Sequence, residues 1–309
     1  MASLIIRPPR ALYDLKRLPD TVPGKNGAQI NRISVVFQNH RNQKIVGSFF
    51  KPSSFAPGNP CVIYLHGNAS CQHEGMFLPN VVTEYGISVF LLDLSGSGMS
   101  EGSFISLGYY ERDDVECAIS HLRENLDVQN IVLWGRSMGA AVAAWCASNS
   151  NLRLSGIICD SPYISVEHII SDLKSKSYIL SAILTVLKFF VNRSVKKSIG
   201  ISIKDIDLLP DIKKAKVPAL FVHTFSDSMV DIQQTLKIFE NYGSYQKYLY
   251  TPSGNHTSAR HEYCMELQFS CLFDFFDLDV EIEDKSDVNI NVTGHFSDAL
   301  AMMSKMYQE

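Results

Sequence analysis

Residues 131–147 read Ile131-Val132-Leu133-Trp134-Gly135-Arg136-Ser137-Met138-Gly139-Ala140-Ala141-Val142-Ala143-Ala144-Trp145-Cys146-Ala147. A short apolar run meets a G-x-S-x-G pentapeptide and passes straight into an alanine-rich stretch, the pattern of a strand that reverses at once into a helix. Such a reversal forces its central residue into a strained backbone conformation, and the strain lifts the Ser137 hydroxyl clear of the sheet. Gly135 and Gly139 lack Cβ atoms, so the turn can close and the helix can start without striking its own strand. The helix start would aim backbone N–H groups at the same point. Ser137 is therefore expected to be a nucleophile. A plain Gly-Ser turn between two elements would look the same in isolation, so the assignment depends on the surrounding chain.

That chain alternates. Residues 33–37 and 44–50 read as two leading strands around a polar turn, an antiparallel pair expected at a sheet edge. Strands are then expected over 61–65, 87–93, 131–134 and 154–160, with helices near 76–85, 108–126 and 138–148. After residue 216 come strand 217–223, helix 230–242 ending at Gly243, strand 245–250 and a last helix over 259–276. Short apolar runs alternating with helices predict a mostly parallel central sheet covered by helices on both faces, an α/β class fold. In helix 108–126, Val115, Ile119, Leu122 and Leu126 recur at helical spacing, and Glu111, Arg112, Asp114 and Glu116 are expected off that face.

Residues 161–216 interrupt the alternation with helical stretches and no convincing strand, as an insertion over the carboxyl edge of the sheet does. This segment is expected to be a helical lid. Within it Ser177, Ser181, Thr185, Lys188, Asn192 and Lys196 form a narrow polar stripe on an otherwise apolar helix, 178–191 at its centre. The apolar part is short of the roughly 20 residues of a membrane span. A lid helix packed on the sheet is the plainer reading; an acyl-binding wall or a membrane-surface contact is its rival.

A serine that transfers acyl groups needs a base, an acid to orient the base, and donors for the oxyanion. In this fold they follow in the order Ser, Asp or Glu, His, on loops at the carboxyl ends of strands. Thr224-Phe225-Ser226-Asp227 follows strand 217–223, and Ser253-Gly254-Asn255-His256 follows strand 245–250. Asp227 would orient His256, and His256 would deprotonate Ser137. His66-Gly67-Asn68 follows strand 61–65, so the backbone N–H groups of Asn68 and Met138 are the expected oxyanion hole. Asp160, ending its own strand, is a rival acid. His66 is read as a brace for the oxyanion loop, His223 as a core or supporting histidine, His261 as lying on the final helix, Asp231 as a helix cap and Asp93 as a carboxylate that fixes the Ser95-Gly96-Ser97-Gly98 loop.

Composition narrows the classes. The chain has 309 residues, 46% of them hydrophobic, enough for one large core. Its formal charge of −4 is spread along the sequence, which disfavours nucleic acid as a partner. Seven cysteines without CxxC spacing read as buried free thiols in a reducing compartment. The start carries charge and two prolines by position 10 and has no apolar leader pattern, so a cytoplasmic protein without a transmembrane segment is expected. The catalytic domain is expected over 1–277, with the lid at about 161–216 and an acidic tail over 278–309 that lies outside the catalytic pattern.

These blocks carry a resemblance. Val62 to Asn68, Asp93 to Ser100, Leu133 to Gly139, Asp160-Ser161-Pro162 and the Asp227 and His256 loops resemble the α/β-hydrolases. The branch they look like includes serine aminopeptidase-like proteins, monoglyceride lipases and depalmitoylases. Residues Arg7-Pro8-Pro9-Arg10 are similar to the start of uncharacterised eukaryotic members. The similarity covers roughly residues 5–277. It implies an α/β-hydrolase fold and hydrolysis of an ester, thioester or amide through an acyl-enzyme, with no metal and no cofactor. Those implied roles carry over to Ser137, Asp227, His256, Asn68 and Met138. Two departures stand out: Thr224 replaces the glycine that commonly follows the strand-end histidine, and the oxyanion segment is His-Gly-Asn rather than His-Gly-Gly-Gly, which argues against bulky tertiary alcohols.

The expectation is a serine hydrolase acting on a carboxylic ester or thioester of a small-molecule or lipid-like acyl substrate, an acylated protein included. A serine aminopeptidase-like amidase, with Glu167 or Asp172 holding a substrate amine, is the second enzymatic choice. A non-catalytic scaffold that binds partners is the third.

Overall fold

In the computed structural model, residues 7–13, 18–24, 27–169, 192–193, 195–198 and 200–280 are described. Apolar runs bounded by turns pair into one nine-stranded sheet of order β1-β2-β3-β5-β4-β6-β7-β8-β9. The strands are β1 Thr21–Pro23, β2 Gln29–Gln38, β3 Lys44–Phe50, β4 Cys61–Leu65, β5 Ser88–Asp93, β6 Ile131–Arg136, β7 Gly156–Asp160, β8 Ala219–Val222 and β9 Lys247–Tyr250. β1, β2, β3 and β5 pair antiparallel, and from β5 through β4, β6, β7, β8 and β9 every pairing is parallel. Helices among the described residues include α1 Pro79–Val82, α2 Glu111–Asn125, α3 Met138–Cys146, α4 Leu209–Ile212, α5 Ile232–Asn241 and α6 Glu262–Phe275.

Alternation along each central strand feeds two cores. Ile63 and Leu65 face one layer with Ile119, Leu122, Val142 and Phe239, and Val62 and Tyr64 face the other with Leu267 and Leu272. Strands sealed on both faces read as continuous apolar runs. The chain leaves β4 toward β5 on one side and returns to β6 on the other, so the switch point of the sheet lies beside the carboxyl ends of β4 and β6. Open α/β sheets bind ligands at such a point. Leu65 pairs with Gly135 in register there, which sets the loop after β4 next to the turn after β6.

Three expectations need correction. The leading antiparallel pair is not the rim of the sheet, because β1, only three residues long, adds outside β2. The helix expected near 76–85 shrinks to α1, flanked by 3-10 turns Gln72–Gly75 and Thr83–Tyr85 and ended by Gly86 at φ 75°. Glu111 and Asp114 are fully buried rather than turned from the core. Each is held in the first turn of α2 by hydrogen bonds that satisfy its oxygens. Asp114 accepts from Ser95 N–H, Asn39 and Arg41, and Glu111 accepts from the N–H groups of Ser106 and Gly108. Burial still pushes both carboxyls up from their ordinary values.

Of the segment 161–216, helix 178–191 and most of its polar stripe lie outside the described residues, as do Asp172 and tail residues 281–309. The described part contains an isolated bridge between Ser165 and Asp207, a 3-10 turn at Ile203–Asp205 and α4. All seven cysteines are unpaired, and six of them are buried. Among the described residues no helix is long and apolar enough to cross a membrane.

Candidate active site

Ser137 sits between β6 and α3 at φ 51° and ψ −114°, a backbone state disfavoured for any residue with a side chain. The surrounding packing enforces it. A Cβ on Gly139 would lie 1.9 Å from Leu65 O, and one on Gly135 would lie 2.2 Å from Gly139 O. Both glycines are thus required by the closeness of α3 to β4 and β6. Ser137 N–H donates to Asp160 O at 2.7 Å, tying the turn to the end of β7.

Three strand-end loops converge on this serine. His256 Nε2 lies 2.9 Å from Ser137 Oγ, and His256 Nδ1 lies 2.6 Å from Asp227 Oδ2. His256 is 6% exposed and the Asp227 side chain is sealed from solvent. Asp227 Oδ1 accepts from the N–H groups of Met229 and Val230 at 2.9 and 2.8 Å. Burial acts to raise the Asp227 carboxyl, but hydrogen bonds from His223, His256 and Val230 N–H outweigh it and hold the group well below the usual carboxylate range. Thr224 is buried in the same loop with its hydroxyl unpaired among the described residues, and the loop nonetheless brings Asp227 to His256.

The loop after β4 lies against the serine from the other side. A Cβ built on Gly67 would be 3.8 Å from Ser137 Cβ. Gly67 N–H donates to Glu74 Oε2 at 3.1 Å, and Glu74 Oε1 accepts from Tyr64 OH at 3.0 Å. His66 Nδ1 donates to Gly67 O, and its Nε2 accepts from Leu94 N–H at 3.1 Å. Asn68 follows on the exposed side, while Met138 is the first residue of α3, where a backbone N–H has no partner within the helix.

The other candidates are spent elsewhere. Asp160 forms a two-pronged pair with Arg260, 2.7 Å from Nε to Oδ2 and 2.5 Å from Nη2 to Oδ1, and does not reach His256. His261 caps α6 by accepting from Cys264 N–H, and Asp231 caps α5 by accepting from Gln233 N–H. Asp93 accepts from the N–H groups of Gln72 and Met99 and from Tyr13 OH. Among the described residues no group of three or more His, Cys, Asp or Glu is arranged to hold a metal ion.

Sequence reasoning passed over Arg136, Arg260 and Glu74. Arg136 Nη2 donates to His256 O and Ser258 O, and Arg260 Nη1 donates to Asn255 O, so two guanidinium groups hold the loop that carries the imidazole. The signal for Arg136 was its place beside the serine on a strand end. For Arg260 and Glu74 only the folded loops reveal a partner.

Comparison with known proteins agrees with this architecture. Residues 59–205 match the sequence model of the family described as Serine aminopeptidase, S33. The α/β-hydrolase domain-containing protein WAV2 of Arabidopsis thaliana is 28% identical over 55% of this chain and 54% of its own length. The lysophosphatidylserine lipase ABHD12 of Danio rerio is 26% identical over 60% of this chain and 48% of its own. The chain thus spans about half the length of these two relatives. The esterase Pf2001 of Pyrococcus furiosus superposes with a TM-score of 0.66 at 20% identity, covering 88% of this chain and 98% of that one. Sheet order, the turn at Ser137 and these matches give the chain the α/β-hydrolase fold.

Proposed function

We propose that this chain is a serine hydrolase that cleaves a carboxylic ester or thioester of an acyl substrate through an acyl-enzyme on Ser137. The observation that carries the proposal is the unbroken contact from Ser137 Oγ to His256 Nε2 at 2.9 Å and from His256 Nδ1 to Asp227 Oδ2 at 2.6 Å. Ser137 Oγ attacks the acyl carbon as His256 Nε2 takes its proton. Asp227 holds the imidazole with Nδ1 protonated and balances the imidazolium that forms. The tetrahedral oxyanion is received by the backbone N–H groups of Asn68 and Met138. His256 then protonates the departing alcohol or thiol, and a water molecule activated by the same nitrogen releases the acid.

The catalytic domain in this proposal spans 1–277, the segment 161–216 forms its lid, and 278–309 is an appended tail. A small-molecule or lipid-like acyl substrate, an acylated protein included, is the substrate class of this proposal, with the lid segment read first as a cover for the sheet edge and second as an acyl-binding wall or a membrane-surface contact. Unpaired thiols support a cytoplasmic setting. An amidase is the second reading, favoured by the description of the matching family as a serine aminopeptidase. The two separate on a panel of p-nitrophenyl esters of increasing chain length, acyl thioesters and amino-acid anilides, each run beside Ser137→Ala. Turnover of esters and thioesters that vanishes in Ser137→Ala supports the proposal; turnover of anilides alone supports the amidase.

A further inference from the structure

Asp227 is approached by more donors than a triad acid needs. Its Oδ1 takes two backbone N–H groups, and its Oδ2 takes His256 Nδ1. A second imidazole reaches that same oxygen: His223 Nε2 lies 3.3 Å from Asp227 Oδ2 and 3.0 Å from Val230 O. Neither acceptor carries a hydrogen, so Nε2 must carry one. The other ring nitrogen is 2.6 Å from Thr235 Oγ1, whose one hydroxyl proton has two acceptors in reach, Nδ1 at this shorter distance and Pro162 O at 3.2 Å; with Nε2 protonated, the neutral ring takes the Thr235 proton on Nδ1. His223 is wholly buried, and its backbone N–H donates to Tyr250 O, at the end of the strand that leads into the His256 loop. One residue is thereby fastened to both loops that form the acid and base pair.

A carboxylate offers about four lone-pair sites. With His223 in place, two donors address each oxygen of Asp227, three of them besides His256 Nδ1–H. This has a chemical consequence. When His256 takes the proton from Ser137, its Nδ1 proton faces a carboxylate whose charge three other donors stabilise and whose basicity they lower, so the proton stays on the imidazole and the carboxylate stays charged.

Resting on the reading of Ser137, His256 and Asp227 as a triad, we propose that His223 is a positioning residue for the acid: its Nε2–H, shared between Asp227 Oδ2 and Val230 O, fixes the carboxylate toward His256 and keeps it anionic through the reaction. A histidine buried only to fill the core would be satisfied by Thr235 and Val230 and would have no influence on the reacting proton.

Two measurements on the full chain decide between these roles. The first is the tautomer of His223 in the unaltered protein, read by long-range proton–nitrogen correlation after selective nitrogen-15 labelling of histidine. A proton on Nε2 is expected; a proton on Nδ1 alone overturns the proposal. The second compares His223→Leu, which removes the donor, with His223→Gln, whose amide offers an N–H at similar reach. A hydrogen bond to a charged group is worth enough for His223→Leu to lower kcat on a p-nitrophenyl ester by about ten- to a hundred-fold with KM unchanged. His223→Gln should recover most of that loss, and the downfield proton resonance of His256 Nδ1–H should shift in the leucine variant and return in the glutamine variant. Equal kcat in the wild type and both variants, with an unmoved resonance, overturns the proposal. Should His223→Leu fail to fold, the tautomer and the glutamine variant still decide. Labelling of wild-type Ser137 by a fluorophosphonate tests the underlying triad separately: with that label present, a failure of the His223 measurements counts against His223 alone.

Discussion

Arg136 and His256 are joined across 120 residues of sequence: Arg136 Nη2 donates to the carbonyl oxygen of His256 at 2.8 Å, and to that of Ser258 at the same distance. The residue preceding the serine therefore holds the loop of the residue that faces the serine. A fixed distance between hydroxyl and imidazole is what general base catalysis requires, since a displacement of about 1 Å costs on the order of 100-fold. Arg136→Ala is expected to lower kcat on a p-nitrophenyl ester by about ten-fold or more while leaving the fold intact, since charged hydrogen bonds of this kind contribute about 1.5–3 kcal/mol. Steady-state kinetics with circular dichroism checks it.

Gly139 stands where α3 passes β4. A methyl group there would sit 1.9 Å from Leu65 O, a contact with rigid backbone rather than with a flexible side-chain tip. Gly139→Ala must push the helix off the sheet and is expected to cost more than about 3 kcal/mol. Chemical denaturation measures it. A loss under about 1 kcal/mol would mean that the helix and strand are less closely packed than this.

Asp227→Asn keeps the shape of the acid and removes its charge. The amide can leave His256 in the wrong tautomer, and the expected fall in kcat is on the order of 10⁴. Stability also acquires a signature. Because the folded-state pKa of Asp227 is depressed, the folded chain binds fewer protons than the unfolded chain as pH falls, so the carboxylate stabilises the fold above its unfolded value near ~3.9 and loses that contribution on further acidification. A plot of urea midpoint against pH should consequently descend less steeply below pH ~4 in Asp227→Asn than in the wild type.

Thr224 offers a test in the opposite direction. Its hydroxyl is buried without a hydrogen-bond partner among the described residues, and a buried unpaired hydroxyl is costly. Thr224→Val keeps the shape and removes the polar atom, so a gain of about 1 kcal/mol is expected from thermal or chemical unfolding. A loss would show that the hydroxyl has a partner.

The parallel half of the sheet was legible because β4, β5, β6, β7 and β8 are buried on both faces and appear as dense apolar runs. β1 was not, since three residues carry no periodicity. The burial of Glu111 and Asp114 was hidden for a related reason. A charged residue in a helical pattern is ordinarily assigned to solvent, and only the folded loops at 95 and 106–108 supply the donors that let these carboxylates sit inside. That Ser137, Asp227 and His256 meet on one rim of the sheet could be read from their places after strand ends, where the loops of a parallel sheet gather. Arg136, Arg260 and Glu74 act by reaching across loops, and such reach depends on tertiary geometry rather than on spacing.

A Ser137 hydroxyl activated by His256, as proposed, must react with an electrophile that mimics an acyl group. Incubation of the full chain with a fluorophosphonate, followed by intact-mass measurement and peptide mapping, tests it most directly. One adduct per chain on the peptide containing Ser137, absent in Ser137→Ala and strongly slowed in His256→Ala, is the predicted result. A folded wild-type chain that gains no adduct, or gains it on a residue other than Ser137, would contradict the account.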